Sequence, residues 1–469
     1  MFPSRRRPGV AGLLSAAAIG VYLLVVAGAT ASVADAASAC SSWPLCHGSL
    51  LETATLIAVG HRVLAAIVGV LVLAAAIAVL RADVSRRVRI ATVAALALYP
   101  VQVAVGALLA TTAGVAPFPG THLVVGVGIF STLVVALAWH LEAETGTTDD
   151  DTIDQPELAP DPVGAAADDS PVTPLAERPL ADRLKVRGFA YFRLMKPRLM
   201  WLLCLVAAAG MALAAGPELA VRTIVLTLGG GVLAIGSSGT FNHVLEWEKD
   251  KRMNRTSDRP VATHQIPKRN AMLFGVALAA LSLGVFWQVN LLTAALGLVA
   301  ILFYTVIYTL VLKPNTVQNT VIGGAAGALP ALIGWAAVTG DVGVPGIALA
   351  VLIFAWTPAH FYNLALAYKD DYARGGFPMM PVVRGETTTR KHILLWLGAT
   401  LVSTGALVGL TDLGWLVAST TAIVGAVFLW AVVRLHREQT EQAAFRAFHA
   451  SNAYLGLLLV AIVVDALVL

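Results

Sequence analysis

Cysteine is nearly absent: Cys40, Cys46 and Cys204 are the only three in 469 residues, too few for a zinc-type array. Cys204 lies inside an apolar run and reads as a small buried residue. Charge is scarce as well, with 13% Asp, Glu, Lys and Arg against 58% hydrophobic residues. A soluble domain cannot hide that much apolar sequence, whereas repeated runs of about 20 apolar residues are what bilayer spans require. Length therefore sets no domain count. The net charge of +4 is no argument for nucleic acid, because basic residues gather beside spans for topological reasons. No nucleic-acid partner is expected; the lipid bilayer is.

What is present is an all-α pattern of thirteen apolar runs. Four start near Gly9, Thr55, Arg89 and Thr121. Nine more start near Leu199, Val221, Ala271, Leu291, Gln318, Gly343, His392, Trp415 and Ser451. Arg5, Arg6 and Arg7 precede the first span, and Arg81, Arg86, Arg87 and Arg89 fill the second connection. The segments Val33–Ala54 and Ala113–Gly120 hold no Lys or Arg. Positive charge stays on the cytoplasmic side, so the expected N-terminus is inside and the C-terminus outside, in a multi-pass protein of the cell membrane. The start also resembles a signal peptide, with three arginines, an apolar stretch and Ala34-Asp35-Ala36. The apolar stretch is longer than a usual signal core, and a retained span is the expectation.

Between the two sets of spans the composition changes. Asp149, Asp150, Asp151, Asp154, Glu157, Asp161, Asp168 and Asp169 are mixed with five prolines from Pro156 to Pro174. Like charges repel and almost nothing apolar is there to bury, so residues 142–185 read as a disordered linker. It divides the chain into a four-helix unit (1–141) and a nine-helix unit (186–469).

One polar stretch stands out. Asn242, Glu246 and Asp250 follow the apolar run from Val221 at four-residue spacing, which stacks three oxygen donors on one helical face. Such a face suits Mg²⁺, which takes a few carboxylates together with substrate phosphates. Arg252, Arg255 and Arg259 come next, and guanidinium forks match phosphate oxygens. The bland alternative is a solvated, self-paired loop. A second polar stretch, Lys369-Asp370-Asp371, falls four spans later, on the same cytoplasmic side by span count. Together the two favour a metal-bridged diphosphate site, with Asp370 or Asp371 facing the first motif.

In the four-helix unit, Cys40 and Cys46 lie in the outer loop, where nearby cysteines usually pair. They are not spaced for c-type haem attachment. His61 and His122 each fall in the first turns of a span entered from outside, and so at similar depth. Coordinating groups inside membranes are costly and usually functional, and imidazole is an axial ligand of haem iron. Two structural interhelical histidines are the alternative. The Cys-x5-Cys loop with Trp43-Pro44-Leu45-Cys46, the run His61-Arg62-Val63-Leu64, the run Gln102 to Leu108 and Thr121-His122-Leu123 resemble one half of haem A synthase. That resemblance implies His61 and His122 as ligands of a haem b, and Cys40 and Cys46 as an outer redox pair. Only one half is present, so a second haem site needs another copy of the chain or a partner such as haem A synthase. The family's glutamate before the His-Arg pair is Ala58 here, so haem binding is better supported than oxidation of the haem methyl group.

The nine-helix unit resembles the membrane-intrinsic prenyltransferases, whose first signature is Asn-x3-Asp-x3-Asp. Within them it is similar to the protohaem IX farnesyltransferases (haem O synthases). The resemblance rests on Lys196-Pro197-Arg198, Met253-x-Arg255-Thr256-x2-Arg259-Pro260, Leu312-Lys313, Asn319 to Gly340, Pro358-x-His360-Phe361 and Asp371 to Val383. Glu246 departs from the usual Asp at the middle position. The resemblance implies transfer of farnesyl from farnesyl diphosphate to a vinyl group of haem b, with diphosphate as leaving group. It casts Asn242, Glu246, Asp250 and Asp371 as Mg²⁺ ligands and catalytic groups with Asp370. Arg252, Arg255, Arg259 and Lys369 would take diphosphate oxygens. His360 would touch haem iron or a propionate, or simply pack beside Trp356 and Phe361. Two other functions compete: prenyl transfer to a quinone or lipid acceptor, and haem carriage without catalysis.

Overall fold

The computed structural model describes residues 9–33, 36–40, 42–49, 51–112, 118–146 and 179–468. The arginines at 5–7, residues 34, 35 and 113–117, and most of the acidic linker (147–178) lie outside them. Among the described residues there is no strand, and thirteen helices are long and apolar enough to cross a membrane. A helix satisfies its own backbone polar groups, the condition for entering hydrocarbon.

The first four spans are α1 (Val10–Val33), α2 (Thr53–Arg81), α3 (Arg86–Thr111) and α4 (Phe118–Thr145). An amphipathic helix, α5 (Leu180–Leu194), follows and starts inside the stretch assigned to the linker. Then come the spans α6 (Pro197–Ala215) and α7 (Val221–Leu245), the short α8 (Trp247–Asp250), and the span α9 (Lys268–Trp287). Helix α10 (Leu291–Leu302) runs through a π-helical stretch, Phe303–Leu312, into one last turn, α11 (Lys313–Asn315). The spans α12 (Asn319–Thr339) and α13 (Val344–Ala367) are followed by the short α14 (Lys369–Arg374) and α15 (Met380–Val383). The chain closes with α16 (Glu386–Gly409), α17 (Trp415–Glu438) and α18 (Glu441–Val468). Helix α18 starts ten residues before the expected Ser451. Its first turns are polar, and Arg446 and Arg434 pair with Glu438 there; hydropathy marks only the lipid-facing part of such a helix.

The helices form two compact units that differ from a division at the linker. One joins residues 1–148 to 387–465; the other comprises 149–386 with 466–468. In the first unit α1 packs on α2, α4 and α17. Buried hydroxyls link α1, α16, α17 and α18: Tyr22 to Thr421 (2.6 Å), Thr421 to Tyr454 (3.2 Å) and Tyr454 to Thr404 (2.7 Å). Glu142 accepts from Arg87 (2.9 Å) and from Lys391. The last three spans thus pack with the first four, a choice of partner that apolar runs do not encode. In the second unit α7 lies along α9, and α6 along α12. A Cβ on Gly334 would stand 2.1 Å from the Ala207 carbonyl oxygen, so α6 and α12 meet backbone to backbone, as small residues in spans permit.

Candidate active site

The site grows from the end of α7. Backbone bonds from the Glu246 N–H to the Asn242 carbonyl (3.0 Å) and from the Asp250 N–H to the Glu246 carbonyl (2.8 Å) carry the helical register past Leu245. Asn242, Glu246 and Asp250 therefore stack turn upon turn. All three are buried, at 1%, 4% and 2% exposure.

Buried carboxylates need partners, and each motif position has one cation. Both Glu246 oxygens accept from Lys313 Nζ at 2.7 Å. Both Asp250 oxygens accept from one Arg259 nitrogen at 2.8 Å. Asn242 Oδ1 accepts from Lys196 Nζ, while its Nδ2 donates to Thr309 Oγ1 at 3.3 Å. Lys196 is held in a left-handed backbone conformation (φ 55°) just before Pro197. Gly239, one turn below Asn242, makes room for it, since a Cβ there would lie 3.0 Å from the Leu194 carbonyl oxygen. Burial opposes the Glu246 charge, yet Lys313 and Lys196 hold its carboxyl below the usual range. Burial pushes Asp250 up despite Arg259. Burial and the nearby Arg259 push Lys196 well down. Three basic side chains gather around two carboxylates, and a bound polyanion would favour the charged form of Lys196.

The π-helical stretch supplies the opposite wall. Its wider turn lets Thr309 Oγ1 reach the Tyr304 carbonyl (2.9 Å), and Lys196 Nζ donates to the Tyr304 hydroxyl (3.3 Å). Such bulges occur often at functional sites.

The second polar stretch braces the first. Asp371 accepts the Asn254 N–H (3.0 Å) and the Arg255 N–H (2.9 Å) and pairs with Arg374. Arg255 donates to the Tyr372 hydroxyl at 3.1 Å and lies 4.8 Å from the Tyr368 ring centre. Met253 packs in one apolar cluster with Tyr372, Phe377 and Met379. The carboxylate of Asp371 is thus taken up by backbone and by Arg374 rather than turned to Glu246 and Asp250. Among the described residues, no three His, Cys, Asp or Glu side chains form a metal-holding group. Asp370 and Arg252 are exposed, and Lys369 pairs with Glu386 at 3.0 Å. His360 is buried in α13 and stacks on Trp356 at 4.3 Å.

Lys196, Lys313, Tyr304 and Thr309 were not among the expected site residues. A lone lysine at the end of a span reads as a topological marker, and only its motif context, Lys196-Pro197-Arg198 or Leu312-Lys313, set it apart. Below Lys196 and Tyr304 an apolar cavity opens between α6, α7, α10 and α12. Cys204 lines it and is half-buried.

In the first unit Cys40 and Cys46 are joined by a disulfide. Arg62 donates to the carbonyls of Ser42 (3.0 Å), Pro44 (3.1 Å) and Cys40 (3.0 Å), which ties this loop to the turn that carries His61. The His61 and His122 rings stand 6.4 Å apart between centroids. Nδ1 of each is buried without a hydrogen-bond partner.

Residues 203–456 match the model of the UbiA prenyltransferase family. The chain is 67% identical to a protoheme IX farnesyltransferase of Haloarcula marismortui, over 98% of both chains. It is 63% identical to a protoheme IX farnesyltransferase of Natronomonas pharaonis, over 98% of this chain and 99% of that one. A relative from Saccharopolyspora erythraea is 42% identical but matches only 60% of this chain, with 90% of its own length. A solved structure concerned with digeranylgeranylglyceryl phosphate synthase shares the fold, with a TM-score of 0.52 at 16% identity, over 60% of this chain and 99% of that one. The chain is a multi-pass membrane protein and belongs to the UbiA prenyltransferase family, alongside the protoheme IX farnesyltransferases.

Proposed function

We propose that the protein transfers the farnesyl group of farnesyl diphosphate to a vinyl group of haem b with release of diphosphate, and that water then adds to the resulting cation with loss of a proton, giving haem O. The observation that carries this reading is the buried cluster of Lys196, Arg259 and Lys313 around Asn242, Asp250 and Glu246, beside an apolar cavity. A diphosphate belongs with the first and an isoprenoid tail with the second. The relatives' names supply the acceptor.

The all-oxygen donor set of Asn242, Glu246 and Asp250 fits Mg²⁺ in kind, while Asp371 accepts the Asn254 and Arg255 N–H groups. When bound there, the metal would neutralise charge on the departing diphosphate. In this reading Lys196, Lys313, Arg259 and Arg255 take diphosphate oxygens, and Asp371 keeps the Arg255 turn in position. The apolar cavity keeps water from the allylic cation until the carbon–carbon bond has formed. Both polar loops face the cytoplasm, with the N-terminus inside and the C-terminus outside. Asp250→Ala should lower haem O formation about a hundredfold or more, in line with loss of a preorganised charge. Haem extraction and mass spectrometry of membranes at matched protein level is the measurement. Unchanged haem O would overturn the assignment.

The four-helix unit, in this proposal, binds haem b between His61 and His122. Their partnerless buried Nδ1 atoms and the approach of the two rings to 6.4 Å support it, since neutral imidazole nitrogens without hydrogen bonds would be free to ligate haem iron. Conversion of haem O to haem A there would call on a second copy of the chain or a haem A synthase. His61→Ala and His122→Ala should each remove a low-spin haem spectrum from the full-length protein. An unaltered spectrum in both would make them structural histidines.

A further inference from the structure

We infer that Phe286 is the floor of the prenyl cavity and sets the length of the chain that is transferred. This rests on the farnesyl-transfer reading and adds to it the residue that selects the donor.

The cavity runs inward from Lys196 and Tyr304. Its wall on α7 extends from Ser238 and Gly239 down to Thr227, 12 residues or about 18 Å at helical rise. Its wall on α6 extends from Lys196 to Ala207, about 16 Å on the same basis. That depth holds an isoprenoid of a few units, so something must end it. The Phe286 ring meets α7 at Gly230 and α10 at Gly297; Gly230 lies nine residues below Gly239, about 14 Å at helical rise. Phe286 lines the cavity and is itself 0% exposed.

Two glycines hold the ring on its opposite edges. A Cβ on Gly230 would stand 2.7 Å from Phe286 Cδ1, and one on Gly297 would stand 2.5 Å from Cδ2. Without the ring, neither glycine has a side chain to fill the slot, and the cavity lengthens between α7 and α10. Gly231, the next residue along α7 from Gly230, also lines the cavity, and a Cβ there meets nothing within 4 Å. A side chain at Gly231 would therefore occupy open space at the inner end of the cavity, beside the ring, rather than disturb its walls.

The two positions give opposite shifts. The full-length protein in detergent is offered equal geranyl, farnesyl and geranylgeranyl diphosphate with haem b, and the prenylated haems are resolved by mass. The native protein should make chiefly the farnesyl product. Phe286→Leu and Phe286→Ala should raise the ratio of geranylgeranyl to farnesyl product about tenfold, whereas Gly231→Val should raise geranyl over farnesyl. An unchanged product ratio in the variants that retain transfer overturns the floor assignment. Should Phe286→Ala not fold, Phe286→Leu and Gly231→Val still decide. If the native protein prenylates no haem, the farnesyl-transfer reading fails. Competition of the three diphosphates for binding, read without acceptor, then tests the floor by the same shifts.

Discussion

Glu246 shows how a residue's role follows from its partner. Both its oxygens are held by Lys313 at 2.7 Å, in a place where the carboxylate is only 4% exposed. Taking away the lysine strands a buried charge, which costs about 3–5 kcal/mol. Lys313→Ala should therefore lower thermal stability in detergent as well as haem O yield. Glu246→Asp keeps the charge and restores the usual family residue, so it should retain substantial activity. Equal stability of Lys313→Ala and the native protein would show that the pair does not hold as described. Stacking of Asn242, Glu246 and Asp250 was legible in the sequence because four-residue spacing is a local property of a helix. Their partners were not, since Lys196 and Lys313 lie 46 and 67 residues away along the chain.

At the scale of helices, close packing and hydrogen bonding both join the first and last spans, and their sizes can be ranked. A Cβ on Gly398 of α16 would stand 2.8 Å from Val134 Cγ1 of α4. Valine is stiff at χ1 and has little room to yield. Gly398→Val should destabilise by about 1–3 kcal/mol, the usual range for overpacking. Tyr454→Phe deletes one hydroxyl from the Tyr22, Thr404 and Thr421 cluster. Hydrogen bonds between membrane helices average about 0.6 kcal/mol, so the smaller loss is expected there. Thermal unfolding of the two variants checks the order; the reverse order would mean that the hydroxyl cluster, not backbone proximity, holds these helices. The π-helical stretch is a second feature of this scale. Nothing in the run Phe303–Leu312 marks it by hydropathy, yet it brings Tyr304 and Thr309 to the site.

Across the whole molecule, the polar site lies within residues 196–378, inside one compact unit. The spans α1 and α4 instead pack on α17 in the other. Shorter relatives match 60–61% of this chain with 90–93% of their own length, close to the share of the chain that residues 180–469 make up. Four spans are an even number, and removing them preserves the topology of the rest. A chain starting at Leu180 should therefore still make haem O. It should lose the low-spin haem spectrum and unfold at a lower temperature, because α17 loses the helices that cover it. Haem extraction and thermal unfolding at matched protein level are the measurements. A well-inserted short chain that makes no haem O would show that the first spans supply substrate or complete the site.

The sequence alone determined the membrane class, the thirteen spans and the oxygen column at the end of α7. Hydropathy and helical periodicity are local, and lipid admits few backbone forms besides the helix. Only the tertiary structure decided that Asp371 braces the Arg255 turn, that each motif residue faces a lysine or arginine, and that the last three helices pack with the first four. Those outcomes depend on which apolar faces meet and which charges are then buried together. Neither is a property of any one stretch of chain.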